Sequence, residues 1–298
     1  MALPKKKKLL LKEKTINTNK VPIIISFGQK GGTGKTEFSR TLAYYFSEIK
    51  NEKVLCIDTD AQGNFTMAFN AINLDKPSLF ELVVGQEYFK IPIRDENNNI
   101  IGYENVPMEV TVNNTIVHVN ENIDLIPADI RMCILAFKTI SFKDSLLKKI
   151  LDQIDMSQYS AVIIDLGAGF GDMHVASLAI ANYIVMPIQL EPNAVDGAVQ
   201  MPYIIDLARK HLNNPDLDIS AVIGTLYTPN RNIQKESIKK LEEFFGDQFL
   251  GLISRSTTVI ESNTAKKSIF AYSPSSKSAK EFTEICEKIY QEIKNKEI

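Results

Sequence analysis

A glycine-rich stretch with two lysines is the part of this sequence whose residue types point most directly to chemistry. It reads Q-K-G-G-T-G-K-T over residues 29–36, between an apolar run at residues 21–27 and a helical pattern of apolar residues. Strand, glycine loop and helix in this order are the setting of a phosphate-binding loop. Because Gly31, Gly32 and Gly34 lack side chains, successive backbone N–H groups can point at phosphate oxygens beside the positive end of the helix.

The end of this loop supplies side chains for phosphoryl chemistry. Lys35 is placed to reach the β- and γ-phosphates of ATP, and the Thr36 hydroxyl is placed to ligate Mg²⁺. The loop departs from the common pattern at Gln29, where glycine is usual, and Lys30 adds a second cation at its head. The predicted triphosphate-binding residues are Gln29, Lys30, Gly31, Gly32, Thr33, Gly34, Lys35, Thr36 and Glu37.

Two further apolar runs end in acidic residues. Residues 53–58 form a strand pattern that continues into D-T-D-A-Q-G-N at residues 58–64, and residues 161–165 form a buried strand pattern that ends in Asp165. Ligands of open α/β sheets bind at such carboxyl ends. Asp58 and Asp60 would lie near the loop, where one can bind Mg²⁺ through water and the other can orient the attacking water. Asp165 has the Walker B position and would hold Mg²⁺ through an inner-shell water.

These motifs resemble those of the deviant Walker A ATPases, the ParA/MinD family. Residues 30–36 match the family signature K-G-G-x-G-K-[ST], and residues 58–64 resemble D-x-D-P-Q-G-N with Ala61 in place of proline. The resemblance implies that Lys30, Lys35 and Asp60 are the catalytic residues, with Lys30 contacting the nucleotide of a second subunit. It also implies that Asp58 assists the metal. Residues 166–169, L-G-A-G, look more like the MinD branch than the ParA form D-x-P-P.

One position of the loop departs from the family. Relatives usually carry a hydroxyl residue after Thr36, beside the α-phosphate, whereas this chain has Glu37. A carboxylate there would repel phosphate. It therefore either points away from the nucleotide or lowers nucleotide affinity.

The function implied by the resemblance is DNA partition of a plasmid or chromosome. ATP would clamp two subunits into a homodimer that binds nonspecific DNA, and a centromere-binding partner, typically a small ribbon-helix-helix protein for the short Delta-like type, would stimulate hydrolysis. Such a protein works in the cytoplasm on the nucleoid. Tyr227 and Ser254 would contact adenine. The DNA-binding residues would be Arg231, Lys235, Lys239, Arg255, Lys266 and Lys267. Since acidic residues alternate with the lysines after residue 230, an ordinary solvated helix face is the alternative.

The elements that position these residues are predicted to form one α/β domain over residues 21–298. We expect a doubly wound, mostly parallel sheet with flanking helices, a P-loop NTPase fold. Residues 87–120 are a candidate insertion, either a partner-specific surface or a passive one, with a hairpin between 91–94 and 100–103. Beyond the strands already described, the pattern predicts strands at 122–128, 183–187, 221–227 and 250–253, and helices at 79–83, after 128, 142–155, 173–181, 195–211, after 230 and 278–294. The apolar residues of the helix at 142–155, beginning with Phe142, should face the sheet. Residues 189–193 resemble the switch loop of the family.

Composition and charge narrow the class of protein. Cys56, Cys133 and Cys286 show neither metal nor disulfide spacing, so we expect reduced core thiols. Residues 1–20 carry seven lysines and one glutamate in a chain of net charge −2. This basic arm is either a solvated tail or a contact for DNA or an acidic partner.

Two other functions use the same fold. A MinD-like membrane ATPase would anchor through a basic amphipathic C-terminal helix, but acidic residues balance the lysines of the last helix here, which favours packing in the core. A metabolic enzyme is the second alternative. No cysteine follows Asp165 closely enough to ligate a bridging cluster, and no carboxylate-substrate pocket is evident.

Overall fold

The computed structural model of the protein describes residues 21–28, 30–73, 75–85, 88–107, 110–137 and 142–296. The basic arm and Gln29 lie outside the described residues. The strands are β1 (Ile23–Ser26), β2 (Val54–Asp58), β3 (Tyr88–Arg94), β4 (Ile100–Pro107), β5 (Val117–Asn120), β6 (Ile123–Ile126), β7 (Ala161–Asp165), β8 (Tyr183–Gln189), β9 (Asp218–Tyr227) and β10 (Phe249–Ser254).

The α-helices alternate with these strands. They are α1 (Lys35–Tyr44), α2 (Asn64–Ala68), α3 (Leu79–Val84), α4 (Val112–Thr115), α5 (Leu146–Leu151), α6 (Asp172–Ile180), α7 (Pro192–Ala198), α8 (Met201–His211), α9 (Asn232–Phe245), α10 (Thr257–Thr264), α11 (Ile269–Tyr272) and α12 (Lys277–Lys296). A π-helical turn, Tyr45–Ile49, continues α1, and short 3₁₀ helices lie at Ile130–Phe137, Lys143–Ser145, Met156–Gln158 and Gly246–Gln248.

One eight-stranded sheet forms the centre, with strands in the order β10-β9-β8-β1-β7-β2-β6-β5. Its neighbours pair in parallel except β5, which runs antiparallel to β6. The prediction of a mostly parallel sheet is confirmed. The strands β1, β7 and β2 are adjacent, so the phosphate loop and the aspartates that end β2 and β7 come to the same edge.

Apolar residues cover both faces of this sheet. On β1, Ile24 belongs to one apolar cluster with Phe38 of α1 and Phe282 of α12, whereas Ile25 belongs to the opposite cluster with Leu147 of α5. This alternation follows from the two-residue period of a strand, which sends successive side chains to opposite faces.

The last helix packs into the core, as the sequence predicted. Phe282, Ile285, Ile289 and Ile293 form the buried stripe of α12. Because this stripe is covered, it is not presented as a membrane-binding face. None of the helices in the described ranges has the length and apolarity needed to cross a bilayer.

The segment after β6 differs from its prediction. A 3₁₀ helix stands where an α-helix was expected after residue 128, and Arg131 folds back to donate to both Asp129 oxygens, at 2.8 Å and 2.5 Å. The helix predicted at 142–155 is reduced to α5, with Leu147 and Ile150 buried. Phe142 was predicted to face the sheet but is 75% exposed. Cys133 was predicted to be a core thiol but is exposed, whereas Cys56 and Cys286 are buried.

Two other predictions concern the boundaries of elements. The helix predicted at 195–211 is divided into α7 and α8. Pro202 explains the break, because it has no N–H to donate to the carbonyl of Ala198, the last residue of α7. The predicted hairpin is confirmed and extends over β3 and β4. Its turn is held by Asp95, which accepts from the backbone N–H groups of Asn97 and Asn99.

Candidate active site

Glycine geometry shapes the loop between β1 and α1. Gly32 and Gly34 have φ angles of 74° and 92°, left-handed values that favour glycine. Gly34 is the amino-terminal cap of α1, so the loop ends at the positive end of the helix dipole. Thr225 of β9 donates from Oγ1 to the Thr33 carbonyl at 2.7 Å, a contact that no local sequence pattern predicts. The loop is fixed by this contact and presents the kind of helix terminus that binds phosphate.

Lys35 lies inside the loop rather than on its surface. Its side chain is buried, and Nζ donates to the carbonyls of Gly28 and Lys30 at 3.3 Å and 3.1 Å. Burial lowers the pKa of Lys35, and the negative charges of Asp165 and Asp60 oppose that shift. The ammonium is thus held within the field of two carboxylates at the head of α1, as required of a lysine that contacts phosphates.

Asp165 and Thr36 meet at the carboxyl end of β7. Thr36 Oγ1 donates to Asp165 Oδ2 at 2.7 Å, and Ser39 Oγ donates to Asp165 Oδ1 at 2.8 Å. Desolvation raises the pKa of Asp165 to about 6, while these hydrogen bonds and Lys35 act in the opposite direction. A hydroxyl beside a carboxylate is an all-oxygen donor set, which suits Mg²⁺.

Asp58 stands beside Asp165 but makes a different set of contacts. The two residues are register partners on β2 and β7. Asp58 Oδ2 accepts from the N–H and the hydroxyl of Thr66, both at 2.8 Å, and Oδ1 accepts from the Asp60 N–H at 3.0 Å. Desolvation first and Asp165 second raise the pKa of Asp58 to about 7. The contacts show that Asp58 holds the following turn and α2 in place, and its role in binding metal stays a prediction.

Asp60 lies over the loop that follows β7. A Cβ added at Gly167 would come within 3.0 Å of the Asp60 carboxyl carbon and 3.2 Å of its Oδ1. A side chain at position 167 would therefore push this carboxylate by a few tenths of an ångström. Asp60 Oδ1 also accepts from the Gln62 N–H at 3.0 Å, so the side chain is held from its own turn.

Lys30 is at the mouth of the loop and pairs within its own chain. Its Nζ lies 2.7 Å from Glu191 Oε2, and the two side chains are 49% and 48% exposed. The other Glu191 oxygen accepts from Gln189 Nε2 at 2.7 Å. The first lysine of the signature is therefore a surface group held by the segment after β8, in contrast to the buried Lys35. The sequence placed residues 189–193 in a switch loop but did not identify Glu191 as the partner of Lys30.

Comparison with known proteins agrees with this geometry. A family profile described as an AAA domain, AAA_31, matches residues 21–219. The sporulation initiation inhibitor protein Soj of Bacillus subtilis is 28% identical over 271 residues, which cover 90% of this chain and 97% of Soj. The chain belongs to the ParA/MinD family of ATPases.

Solved structures show the same fold. A plasmid partition protein of Borrelia burgdorferi bound to AMPPNP is similar with a TM-score of 0.72 and 25% identity, covering 92% of this chain and 100% of that chain. A cobyrinic acid a,c-diamide synthase of Mycobacterium smegmatis with a bound ATP analogue and magnesium has a TM-score of 0.69 at 20% identity, covering 91% of this chain and 94% of that chain. The second likeness shows only that the P-loop fold is shared.

Glu37 stands where relatives usually carry a hydroxyl residue, and its side chain points along α1, away from the phosphate loop. Its Oε2 accepts from Asn263 Nδ2 at 2.5 Å, and its Oε1 accepts from Thr41 Oγ1 at 3.2 Å. Burial raises the pKa of Glu37, opposed first by Arg40. Of the two alternatives left by the sequence, the structure shows the one in which the carboxylate turns towards α10.

A cavity of about 430 Å³ adjoins the switch loop and the end of β9. Leu226 lies in its wall with a φ of 54°, an unusual value for a residue with a branched side chain. Gln234 holds this turn, since its Oε1 accepts from the Thr228 N–H at 2.8 Å. The lining residues are Gln189, Leu190, Glu191, Pro192, Asn193, Leu226, Arg231, Ile233, Gln234 and Arg255.

The two predicted adenine contacts are engaged elsewhere. Tyr227 packs against the apolar core, and Ser254 gives both its N–H and its hydroxyl to Glu281 of α12, at 2.8 Å and 2.7 Å. Leu226 and Gln234, which the sequence analysis did not select, stand at the cavity instead. A side-chain contact of Tyr227 or Ser254 with a base remains a prediction.

The six predicted DNA-binding residues are all exposed. Arg231 precedes α9 and shares the cavity wall with Arg255, whereas Lys235 and Lys239 lie on α9 itself. Lys239 is 3.7 Å from Glu243, one turn away. Lys266 and Lys267 follow α10. The structure makes these residues accessible to a large ligand and leaves their role a prediction.

Proposed function

We propose that this chain is a ParA-type partition ATPase, which binds DNA without sequence preference as an ATP-bound dimer. The observation that carries the proposal is the pair of lysines on one loop. Lys35 is buried among loop carbonyls, and Lys30 is half exposed at the mouth, where it is free to exchange Glu191 for another anion. One lysine thus suits the chain's own triphosphate and the other suits a triphosphate in a second subunit.

The residues of the site divide the chemistry among them. Lys35 and the backbone of the loop would bind the β- and γ-phosphates of ATP, and Lys30 would stabilise the charge that develops on the transferred group. Thr36 and Asp165, supported by Asp58, would hold Mg²⁺, which neutralises charge on the phosphate oxygens. Asp60, held over Gly167, would orient the attacking water. A site completed by a neighbour makes hydrolysis by one subunit slow.

Support for a partition role comes from the relatives. Proteins described as Soj, as chromosome partitioning ParA of Caulobacter vibrioides and as plasmid partition proteins match 86% or more of this chain. By analogy, a centromere-binding partner would stimulate hydrolysis and release the dimer from the nucleoid. The alternative of a MinD-like membrane ATPase has less support, because the apolar stripe of α12 is buried in the core.

A retention assay tests this function. Duplex DNA of random sequence and anionic liposomes are each incubated with the protein in the presence of ATP and Mg²⁺, of ADP and Mg²⁺, or without nucleotide. We expect retention on DNA with ATP only, with a logarithmic salt slope of about −0.9 per phosphate contacted. Retention on liposomes and not on DNA would instead support the MinD-like alternative.

A further inference from the structure

The turn that carries Lys266 and Lys267 is fastened to the helix that begins at the phosphate loop. We define the basic turn as residues 263–268, the end of α10 and the start of the next segment. Asn263 is its central contact: Nδ2 donates to Glu37 Oε2 at 2.5 Å, and Oδ1 accepts from Arg40. One amide side chain therefore joins two residues of α1, one of them directly after Thr36.

Arg40 strengthens the contact between α1 and the basic turn. Its side chain is only 1% exposed. The guanidinium lies 5.0 Å from the Tyr44 ring centroid and donates from Nη2 to the Lys267 carbonyl at 2.6 Å. Among the described residues its Nε has no acceptor. A buried cation needs its remaining hydrogen bonds. Hence a shift of α1 relative to the basic turn would break the bonds from Arg40 to Asn263 and to the Lys267 carbonyl, and would leave Glu37 as its charged neighbour.

A second contact joins the basic turn to the aspartate loop. Lys266 Nζ donates to the Met67 carbonyl of α2 at 3.3 Å, and Thr66 of the same helix is bonded to Asp58. Lys266 has a left-handed φ of 55°. Its conformation is held by backbone bonds from Lys266 N–H to Asn263 and from Lys267 N–H to Ser262. Both segments that flank the predicted triphosphate thus meet at one turn.

We propose that Asn263 is a positioning residue that couples the nucleotide site to the basic turn. Negative charge on a nucleotide beside Thr36 acts on the neighbouring Glu37 carboxylate, and Asn263 makes the direct hydrogen bond between Glu37 and the turn. A longer, indirect route runs through Arg40, which lies 3.8 Å from Glu37 and donates to the Lys267 carbonyl. Nucleotide binding thereby changes the stability of the basic turn and the presentation of its lysines. The coupling itself needs only nucleotide binding, whereas its consequence for DNA rests on the proposed function.

Hydrogen exchange measures the coupling directly. Backbone amides of residues 262–268 are followed with and without a non-hydrolysable ATP analogue and Mg²⁺ in the wild type, in Asn263→Ala and in Thr264→Ala. Thr264 is the matched control, since in the described part of the chain its hydroxyl bonds within α10, to the Ile260 carbonyl. We expect nucleotide to change exchange in the wild type and in the control about tenfold, and in Asn263→Ala less than about twofold.

Two results would contradict the proposal. In one, nucleotide does not change the exchange rate at 262–268 in the wild type; in the other, nucleotide changes it equally in the wild type and in Asn263→Ala. Affinity for the analogue and exchange in the central sheet are measured in parallel. A purely structural residue would alter these, whereas a positioning residue leaves them unchanged.

A second variant tests the same proposal if Asn263→Ala destabilises the protein. Asn263→Asp retains an acceptor for Arg40 but places a carboxylate against Glu37. We expect loss of the nucleotide response, while pairing of the new carboxylate with Arg40 offsets its repulsion by Glu37. A full response in Asn263→Asp would contradict the part assigned to the Glu37 contact.

DNA retention then separates the coupling from the proposed function. If the wild type responds to nucleotide in exchange but never retains DNA, the partition role fails and the coupling stands. If the wild type retains DNA with ATP, Asn263→Ala is expected to lose most of the difference between ATP and ADP. An unchanged difference would contradict the coupling.

Discussion

Two regions of this protein carry basic residues but hold their side chains very differently. We call them the loop edge, which carries Lys30 and Lys35, and the basic face, which consists of the six predicted DNA-binding residues. At the edge, Lys35 is 7% exposed and is held by two backbone carbonyls. On the face, Lys239 is 76% exposed and lies 3.7 Å from Glu243, a surface pair worth about 0–1 kcal/mol. Burial and backbone geometry leave one conformation for the first lysine, while the second is free to choose its partner.

The difference predicts where substitutions act strongly. A buried lysine among fixed acceptors contributes to binding as a preorganised charge, whereas each exposed lysine adds one screened contact among several. One substitution at the loop edge should therefore cause a large loss of ligand binding by itself. Substitutions on the basic face should each cause a small loss, and these losses should add together and depend on salt.

Lys35→Ala is expected to have the largest effect. Removal of the ammonium should weaken binding of ATP and Mg²⁺ by about three orders of magnitude, given a charged contact in a partly desolvated site. Calorimetric titration measures the loss. Lys148→Ala on α5, an exposed lysine paired with Asp152, is the control with unaltered affinity. If Lys35→Ala bound ATP as tightly as the wild type, the loop would not be the nucleotide site.

Asp60→Ala should affect turnover and leave binding in place. Loss of the group that orients water is expected to lower stimulated ATP hydrolysis about a hundredfold, with ATP affinity within about threefold, since phosphate contacts remain. Release of phosphate is the measurement. Asp196→Ala removes an exposed carboxylate of α7 outside the described site and serves as the control. Wild-type turnover in Asp60→Ala would exclude Asp60 as the hydrolysis residue.

Arg255→Glu should lower DNA retention by about tenfold at low salt and reduce the salt slope by about one phosphate contact. Lys148→Glu produces the same change of net charge on another face and should retain DNA normally. Because Arg255 also lines the cavity beside the switch loop, ATP affinity is measured with the same samples. A parallel loss of ATP affinity would place Arg255 in the nucleotide site and contradict its assignment to DNA.

The same contrast explains what the sequence could predict. The loop, the strands β1, β2 and β7 and the aspartates that end β2 and β7 follow from local patterns, and parallel strand order brings them to one edge. Phe142 was placed wrongly because apolar spacing continued past the point where the helix begins. Three contacts join residues far apart in sequence, so no local period reports them: Lys30 with Glu191, Thr33 with Thr225, and Glu37 with Asn263.

Lys30 belongs to the loop edge but, like the lysines of the basic face, it is exposed and paired with a surface carboxylate, Glu191. Substitutions of this pair should therefore have the smallest effect of those predicted here. Their ion pair is half exposed, and breaking such a pair changes an equilibrium by about threefold. Glu191→Gln frees Lys30 for a second subunit and should tighten ATP-dependent dimerisation by that amount.

Sedimentation of the Glu191→Gln variant with a non-hydrolysable analogue gives the dimer dissociation constant. The decisive comparison is the double variant with Lys30→Ala, in which no lysine is left to be released. If the gain disappears in the double variant, Glu191 acts through Lys30. If the gain persists, Glu191 weakens the dimer by its own charge, and the pair within one chain has no part in assembly. A weaker dimer in Glu191→Gln would mean that Glu191 itself contributes to the interface.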